Sequence, residues 1–167
     1  IGCVSSEREN IFYNKINKIY NSFSIIKNKT ITPNQLEKFN IYYQILSDWN
    51  TRINLTSIEG EEEIYFKHFW DSLNICRAVA IDFFNRKRVL DVGTGGGFPG
   101  LPLGIVFPQN KVTLVESRGK KVKFLNSLLT SLDLPNVSVV EGRAEDIAQI
   151  DIFREKFDVV LSRALAS

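Results

Sequence analysis

The residues best placed to do chemistry in this 167-residue chain lie in one stretch, Val89 to Gly100, which reads VLDVGTGGGFPG. Two apolar residues lead into Asp91, and four glycines then fall within five positions, Gly93 to Gly97. The pattern predicts a short buried strand, a tight turn and a helix that begins near Phe98 or Pro99, because proline suits the first turn of a helix. Gly93, Gly95 and Gly97 accept positive φ and let a ligand approach the backbone with no Cβ in the way. A helix start behind such a turn offers free N–H groups and the positive end of a dipole. The stretch is therefore expected to hold a nucleotide-like ligand at the carboxyl end of a parallel strand. Gly95-x-Gly97-x-x-Gly100 satisfies the dinucleotide pattern, which alone has little specificity. Asp91, expected to face the ligand, would repel a pyrophosphate and attract a sulfonium or amino group. A turn with no ligand seldom needs so many glycines, each costing about 0.5–1 kcal/mol within regular structure.

Other polar residues fall at the ends of further strands. Glu116 closes a second strand, at the position where an acid receives ribose hydroxyls, although acids end strands by chance as well. Gly142-Arg143-Ala144-Glu145-Asp146 follows a third strand, where a backbone N–H or an acid can meet an adenine edge. A helix cap with acids in its first turn is the alternative there. Ser162-Arg163-Ala164 follows a fourth strand, where an active-site loop would lie; a surface charge is the other reading of Arg163. His68, the one histidine, and Asp71 project from one face of a helix. A hydrogen-bonded structural pair is the simpler reading of these two, and a role near the ligand the other. With no second histidine and no cysteine cluster, no metal site is expected.

Alternating strands and helices must position these residues. From Arg86 onward the sequence reads as strand Arg88 to Val92, a helix to about Phe107, strand Lys111 to Glu116, a helix from Gly119 to Leu132, strand Val137 to Glu141, a short helix Ala144 to Ile150, and strand Phe157 to Leu161. Buried strands separated by helices indicate an α/β fold with a parallel sheet. Helices precede it. Apolar residues recur at helical spacing from Ile11 to Ile26. Thr32-x-x-Gln35 with Pro33 forms a capping box for a helix to about Asn50. A third helix opens on the acids Glu59 to Glu63 and packs Phe66, Phe69, Trp70 and Leu73. The organisation is thus an N-terminal helical region, 1–85, and a sheet core, 86–167.

Composition is that of an ordinary globular protein, and a net charge of +2 permits RNA binding without arguing for it. No apolar run is long enough to span a bilayer, and nothing resembles a secretion signal. Cys3 and Cys76 have no metal-like spacing and read as thiols in a reducing cytosol. The chain has no methionine and begins at Ile1, so a piece of a longer protein is expected.

Asp91-Val-Gly93-Thr-Gly95 resembles the first motif of class I S-adenosylmethionine (SAM) methyltransferases, and makes Asp91, Gly93, Thr94, Gly95 and Gly97 the candidate cofactor turn. A more specific resemblance covers the chain from about Thr32 to its end. WNTRINLTSI (from Trp49), KHFWDSL (from Lys67), LDVGTGGGFPGLPLGI (from Leu90), VTLVES with GKKVKFL (from Val112), GRAED (from Gly142) and DVVLSRALAS (from Asp158) are similar, in order, to the RsmG (GidB) family of bacterial 16S ribosomal RNA guanine-N7 methyltransferases. This resemblance implies a Rossmann-like class I SAM-dependent fold. It implies cofactor contacts from Gly93, Phe98, Ala144, Glu145 and Arg163, with Glu116 on the ribose. It places Asn54, His68 and Asp71 around the pocket, with no residue assigned a catalytic role. It also implies further strands beyond Ser167, so the core here is incomplete.

The implied chemistry suits these residues. Guanine N7 has a free lone pair and no proton to lose, so methyl transfer needs placement rather than a general base. Arg163 is then expected to position cofactor or target. The implied partner is 16S ribosomal RNA or the small ribosomal subunit, met by basic residues such as Arg86, Lys87, Arg88, Lys120 and Lys123, with the base unstacked. A cytoplasmic monomer, with no membrane or metal, completes the expectation. The rivals are a SAM-dependent methyltransferase for a small molecule or protein, a nicotinamide-dependent oxidoreductase using GGGFPG, and a ribosome-binding protein without activity; fold alone does not separate them.

Overall fold

The structure, a computed structural model, describes residues 31–79, 83–151 and 153–163. The expected helix at Ile11 to Ile26, Cys3, and everything after Arg163 lie outside these residues. Helix α1 (Pro33–Asn50) begins at the expected capping box, with Thr32 and Gln35 exchanging backbone-to-side-chain bonds of 3.2 and 3.0 Å. Helix α2 (Glu61–Ile64) runs into a π-helical stretch (Tyr65–Trp70) and then α3 (Asp71–Ala78). The wider turn was not visible in the sequence, which reads as one regular helix. Phe69 and Leu73 are buried as expected, but Phe66 is 44% exposed and does not belong to the core.

Four strands follow: β1 (Arg88–Val92), β2 (Lys111–Glu116), β3 (Val137–Glu141) and β4 (Val159–Ser162). They form one parallel sheet in the order β3-β2-β1-β4. The connecting helices are α4 (Gly100–Val106), α5 (Gly119–Leu132) and α6 (Ala144–Ile147). Pro99 sits at the N-cap of α4 rather than inside it, and α6 stops short of Ile150. Chain order reverses beside β1, so its carboxyl end is the switch point where α/β sheets open a crevice.

Helix α1 ties the layers together. Its buried Phe39, Tyr42 and Leu46 join the same core as the strands. The Gln35 amide donates to the carbonyls of Ile105 (2.9 Å) and Val106 (3.2 Å), and the Lys38 ammonium donates to those of Leu132 and Asp133. These are the last carbonyls of α4 and α5, which have no partner within their own helices. No helix among the described residues is long and apolar enough to cross a membrane.

Helix α4 lies tight against the sheet at Gly100. A Cβ there would stand 2.6 Å from Leu114 Cδ2 and 2.8 Å from Asp91 Cβ. Gly100→Ala is therefore expected to destabilise the fold by about 1–3 kcal/mol through overpacking. Urea denaturation measures it; an unchanged midpoint would mean α4 has room to move off the sheet.

Candidate functional site

The glycine turn is held from two strands. The Gly93 and Thr94 amides donate to the Val115 carbonyl at 2.9 and 3.1 Å. The Gly95 amide donates to Glu116 Oε2 at 3.0 Å, and the Arg118 amide to Glu116 Oε1 at 2.9 Å. Glu116 is thus the buried brace of the turn, with a lone pair left on each oxygen for a further donor.

Asp91 does not face a ligand, contrary to the expectation from sequence. It shares with Val89 the sheet face covered by α4 and is fully buried. Its Oδ2 accepts from the Thr94 hydroxyl (2.6 Å) and from the Gly100 amide (2.8 Å). Burial pushes the Asp91 carboxyl up to about 6, against the pull of those two hydrogen bonds. Its Oδ1 is buried with no partner among the described residues. Thr94, in the turn, is buried and spends its hydroxyl on Asp91.

A cleft of about 290 Å³ opens at the carboxyl ends of β1, β2 and β3. Gly93, Ala144 and Glu145, expected from sequence, line it. Gly142 and Arg143, from the same stretch after β3, line it too, as do Val92, Val115 and Ser117, which the sequence does not single out. Strand alternation was the available signal for Val92, since Asp91 and Val92 must point to opposite faces. Ser117 had no signal beyond following Glu116.

Beside the turn, a second group gathers around Phe98. Gly97 has φ +99°, and a Cβ there would meet Tyr42 Oη at 2.5 Å. The Tyr42 hydroxyl donates to the Gly96 carbonyl at 2.5 Å, and its ring stacks with Phe98 at 5.4 Å. Burial holds the Tyr42 hydroxyl well above the usual phenol range, so it stays a donor. His68 also stacks with Phe98, at 4.4 Å, and the Arg163 guanidinium lies 5.3 Å from that ring. Arg163 donates to Asp71 Oδ2 (3.1 Å), to the Lys67 carbonyl (3.4 Å) and to His68 Nδ1 (2.5 Å). His68 and Asp71 therefore meet through Arg163 rather than by bonding each other. Burial, and the guanidinium beside it, push His68 down to about 4.

Asn54 is exposed, and its neighbour Thr56 is the residue that reaches His68, with Oγ1 at 2.6 Å from Nε2. Tyr42 and Thr56 were missed because an aromatic helix position and a turn threonine give no local sign of such contacts. Arg86, Lys87 and Arg88 lie at the start of β1, the end of the strand away from the cleft, and Arg88 pairs with Asp158 at 3.3 Å. Lys120 and Lys123 are exposed on the first turns of α5, at the cleft end.

The sequence profile of the GidB family, described as rRNA small subunit methyltransferase G, matches residues 35–167. Ribosomal RNA small subunit methyltransferase G of Leuconostoc citreum is 47% identical over 137 residues, which are 82% of this chain and 57% of that protein. The Staphylococcus carnosus protein of the same name is 48% identical over 138 residues, again 82% and 57%. The chain thus spans little more than half the length of these curated relatives. Among solved structures, a mutant of MtNAS in complex with S-adenosylmethionine matches with a TM-score of 0.52 and 22% identity, over 80% of this chain and 47% of that one. At that identity the likeness concerns the fold.

The two buried titrating groups act on stability in opposite directions. The carboxyl of Asp91, raised from 3.8, favours the folded state below about pH 4, and that contribution is lost as pH rises through about 6. The imidazole of His68, lowered from 6.5, contributes stability above pH 6.5, which is lost as pH falls toward about 4. The two effects run in opposite directions over the same pH range and offset each other. Asp91→Asn should therefore become more stable between pH 4 and 6.5, and His68→Gln less stable over the same range, in urea melts. Parallel profiles for the two variants would contradict these assignments.

Proposed function

The chain belongs to the rRNA small subunit methyltransferase G (RsmG) family and has the Rossmann-like fold of class I SAM-dependent methyltransferases, and on that premise we propose that it is the cofactor-binding part of an enzyme that methylates N7 of a guanine in 16S ribosomal RNA. The observation that carries this is the cleft beside the braced glycine turn, at the switch point of the sheet. The residues fit the cofactor. Gly93 and Gly95 have positive φ and present backbone without a Cβ. Glu116 keeps lone pairs for ribose hydroxyls, while Ala144 and Glu145 offer an amide and an acid to an adenine edge. The unpartnered Asp91 Oδ1 adds negative potential beneath the turn, which favours a cationic ligand over a pyrophosphate.

When bound, SAM supplies an electrophilic methyl group. Gly93, Glu116, Ala144 and Glu145 hold the nucleoside side. Arg163, fixed by Asp71, His68 and the Phe98 face, orients the target or the cofactor at the edge of the site. None of these groups needs to take a proton. His68 is suited to that economy, because its Nδ1 lone pair is committed to Arg163. The exposed Lys120 and Lys123 supply phosphate contacts to the RNA. The same reading makes the protein cytoplasmic, monomeric and active on ribosomal RNA or the small subunit.

Calorimetric titration with S-adenosylhomocysteine, with NADH as the control, tests the cofactor assignment. Saturable binding of the former alone is expected; binding of NADH alone would overturn it. Arg163→Ala should lower methyl transfer to 16S ribosomal RNA by roughly 10²-fold, the cost of a misplaced reacting group. Transfer at the wild-type rate would remove Arg163 from the mechanism.

A further inference from the structure

An arginine side chain has donors only. Arg163 Nη2 lies 2.5 Å from His68 Nδ1, so that nitrogen is the acceptor and carries no hydrogen. A neutral imidazole then bears its hydrogen on Nε2, and Nε2 must donate. Its neighbour is Thr56 Oγ1, at 2.6 Å, which also accepts from the Ile58 amide at 3.0 Å. Thr56 is itself fixed by Asn50, whose Oδ1 accepts from the Leu55 and Thr56 amides at 2.9 and 3.0 Å and whose Nδ2 donates to the Thr56 carbonyl at 3.0 Å.

We propose that Thr56 is a positioning residue: its hydroxyl oxygen accepts the Nε2 hydrogen that the Arg163 contact imposes on His68, and so anchors the ring with Nδ1 facing Arg163 and the guanidinium held over Phe98. The chain of contacts runs Asn50, Thr56, His68, Arg163, from the last residue of α1 and the turn after it, through the π-helical stretch, to the end of β4. The arginine fixes the donor at the first two links, Arg163 to Nδ1 and Nε2 to Thr56 Oγ1, and Asn50 holds the Thr56 main chain in place. The functional consequence rests on the reading that Arg163 orients cofactor or target; the hydrogen-bond assignment does not.

His68 is the only histidine, so its ring nitrogens give unambiguous ¹⁵N signals in the full chain. Wild type should show the Nε2–H tautomer at neutral pH. Thr56→Ser, which keeps the oxygen, should retain the wild-type Nε2–H signal, and Thr56→Val should shift it, because the hydrogen loses its acceptor, while far-ultraviolet circular dichroism stays native. Thr56→Val should also weaken S-adenosylhomocysteine binding or methyl transfer roughly tenfold, with rescue by Thr56→Ser. In an Arg163→Ala background the same substitution should cost nothing further, the non-additivity of residues acting through one another. An Nδ1–H tautomer in wild type, an unmoved Nε2–H signal in Thr56→Val, or an undiminished penalty in the Arg163→Ala background would each overturn the proposal. If wild type binds no S-adenosylhomocysteine, the cofactor reading fails, and the ¹⁵N result for wild type and Thr56→Val still decides for or against Thr56.

Discussion

The glycine turn between β1 and α4 keeps its shape because two buried carboxylates hold its amides. Glu116 reaches from β2 to the Gly95 amide, and Asp91 reaches from β1 to the Gly100 amide and the Thr94 hydroxyl. A turn this rich in glycine has a wide choice of conformations when unfolded, so side chains from rigid strands must select one. The sheet register supplies them, since Asp91 pairs alongside Leu114 and Glu116 ends the neighbouring strand. The same bonds fix where α4 begins and how close it lies to the sheet.

The helices before the sheet complete the site as well as the core. Tyr42 of α1 stacks on Phe98 and bonds the Gly96 carbonyl, so the far side of the turn rests on an aromatic wall. His68 of the π-helical stretch stacks on the same ring and accepts from Arg163 at the end of β4. Phe98 is therefore common to α1, the π-helical stretch, the glycine turn and β4. A site assembled from four separate elements has its geometry set by packing, in which small shifts are resisted.

Much of this architecture was legible in the sequence. The parallel strands, the capping box at Thr32 and Gln35, and the cleft residues Gly93, Ala144 and Glu145 follow from periodicity, turn chemistry and motif. The charge of Asp91 points toward a ligand, but its place in the strand, on the same face as Val89, turns it under α4. Charge alone suggests Arg86, Lys87 and Arg88 as RNA contacts, and the parallel strand places them at its start, the end away from the switch point. Tyr42 and Thr56 were out of reach for a different reason. Their partners Gly96 and His68 lie in other elements, and no local pattern encodes a contact across the fold. The π-helical stretch likewise leaves no mark on apolar spacing.

The most direct test of the central assignment is a map of backbone amide shifts in the ¹⁵N-labelled chain as S-adenosylhomocysteine is added. The account predicts saturable shifts concentrated at Gly93 and Gly95, at Ser117, and from Gly142 to Glu145, along the cleft beside the glycine turn. Saturable shifts confined instead to the hollow around Asn110 and Asn136, at the other end of the strands, would contradict it.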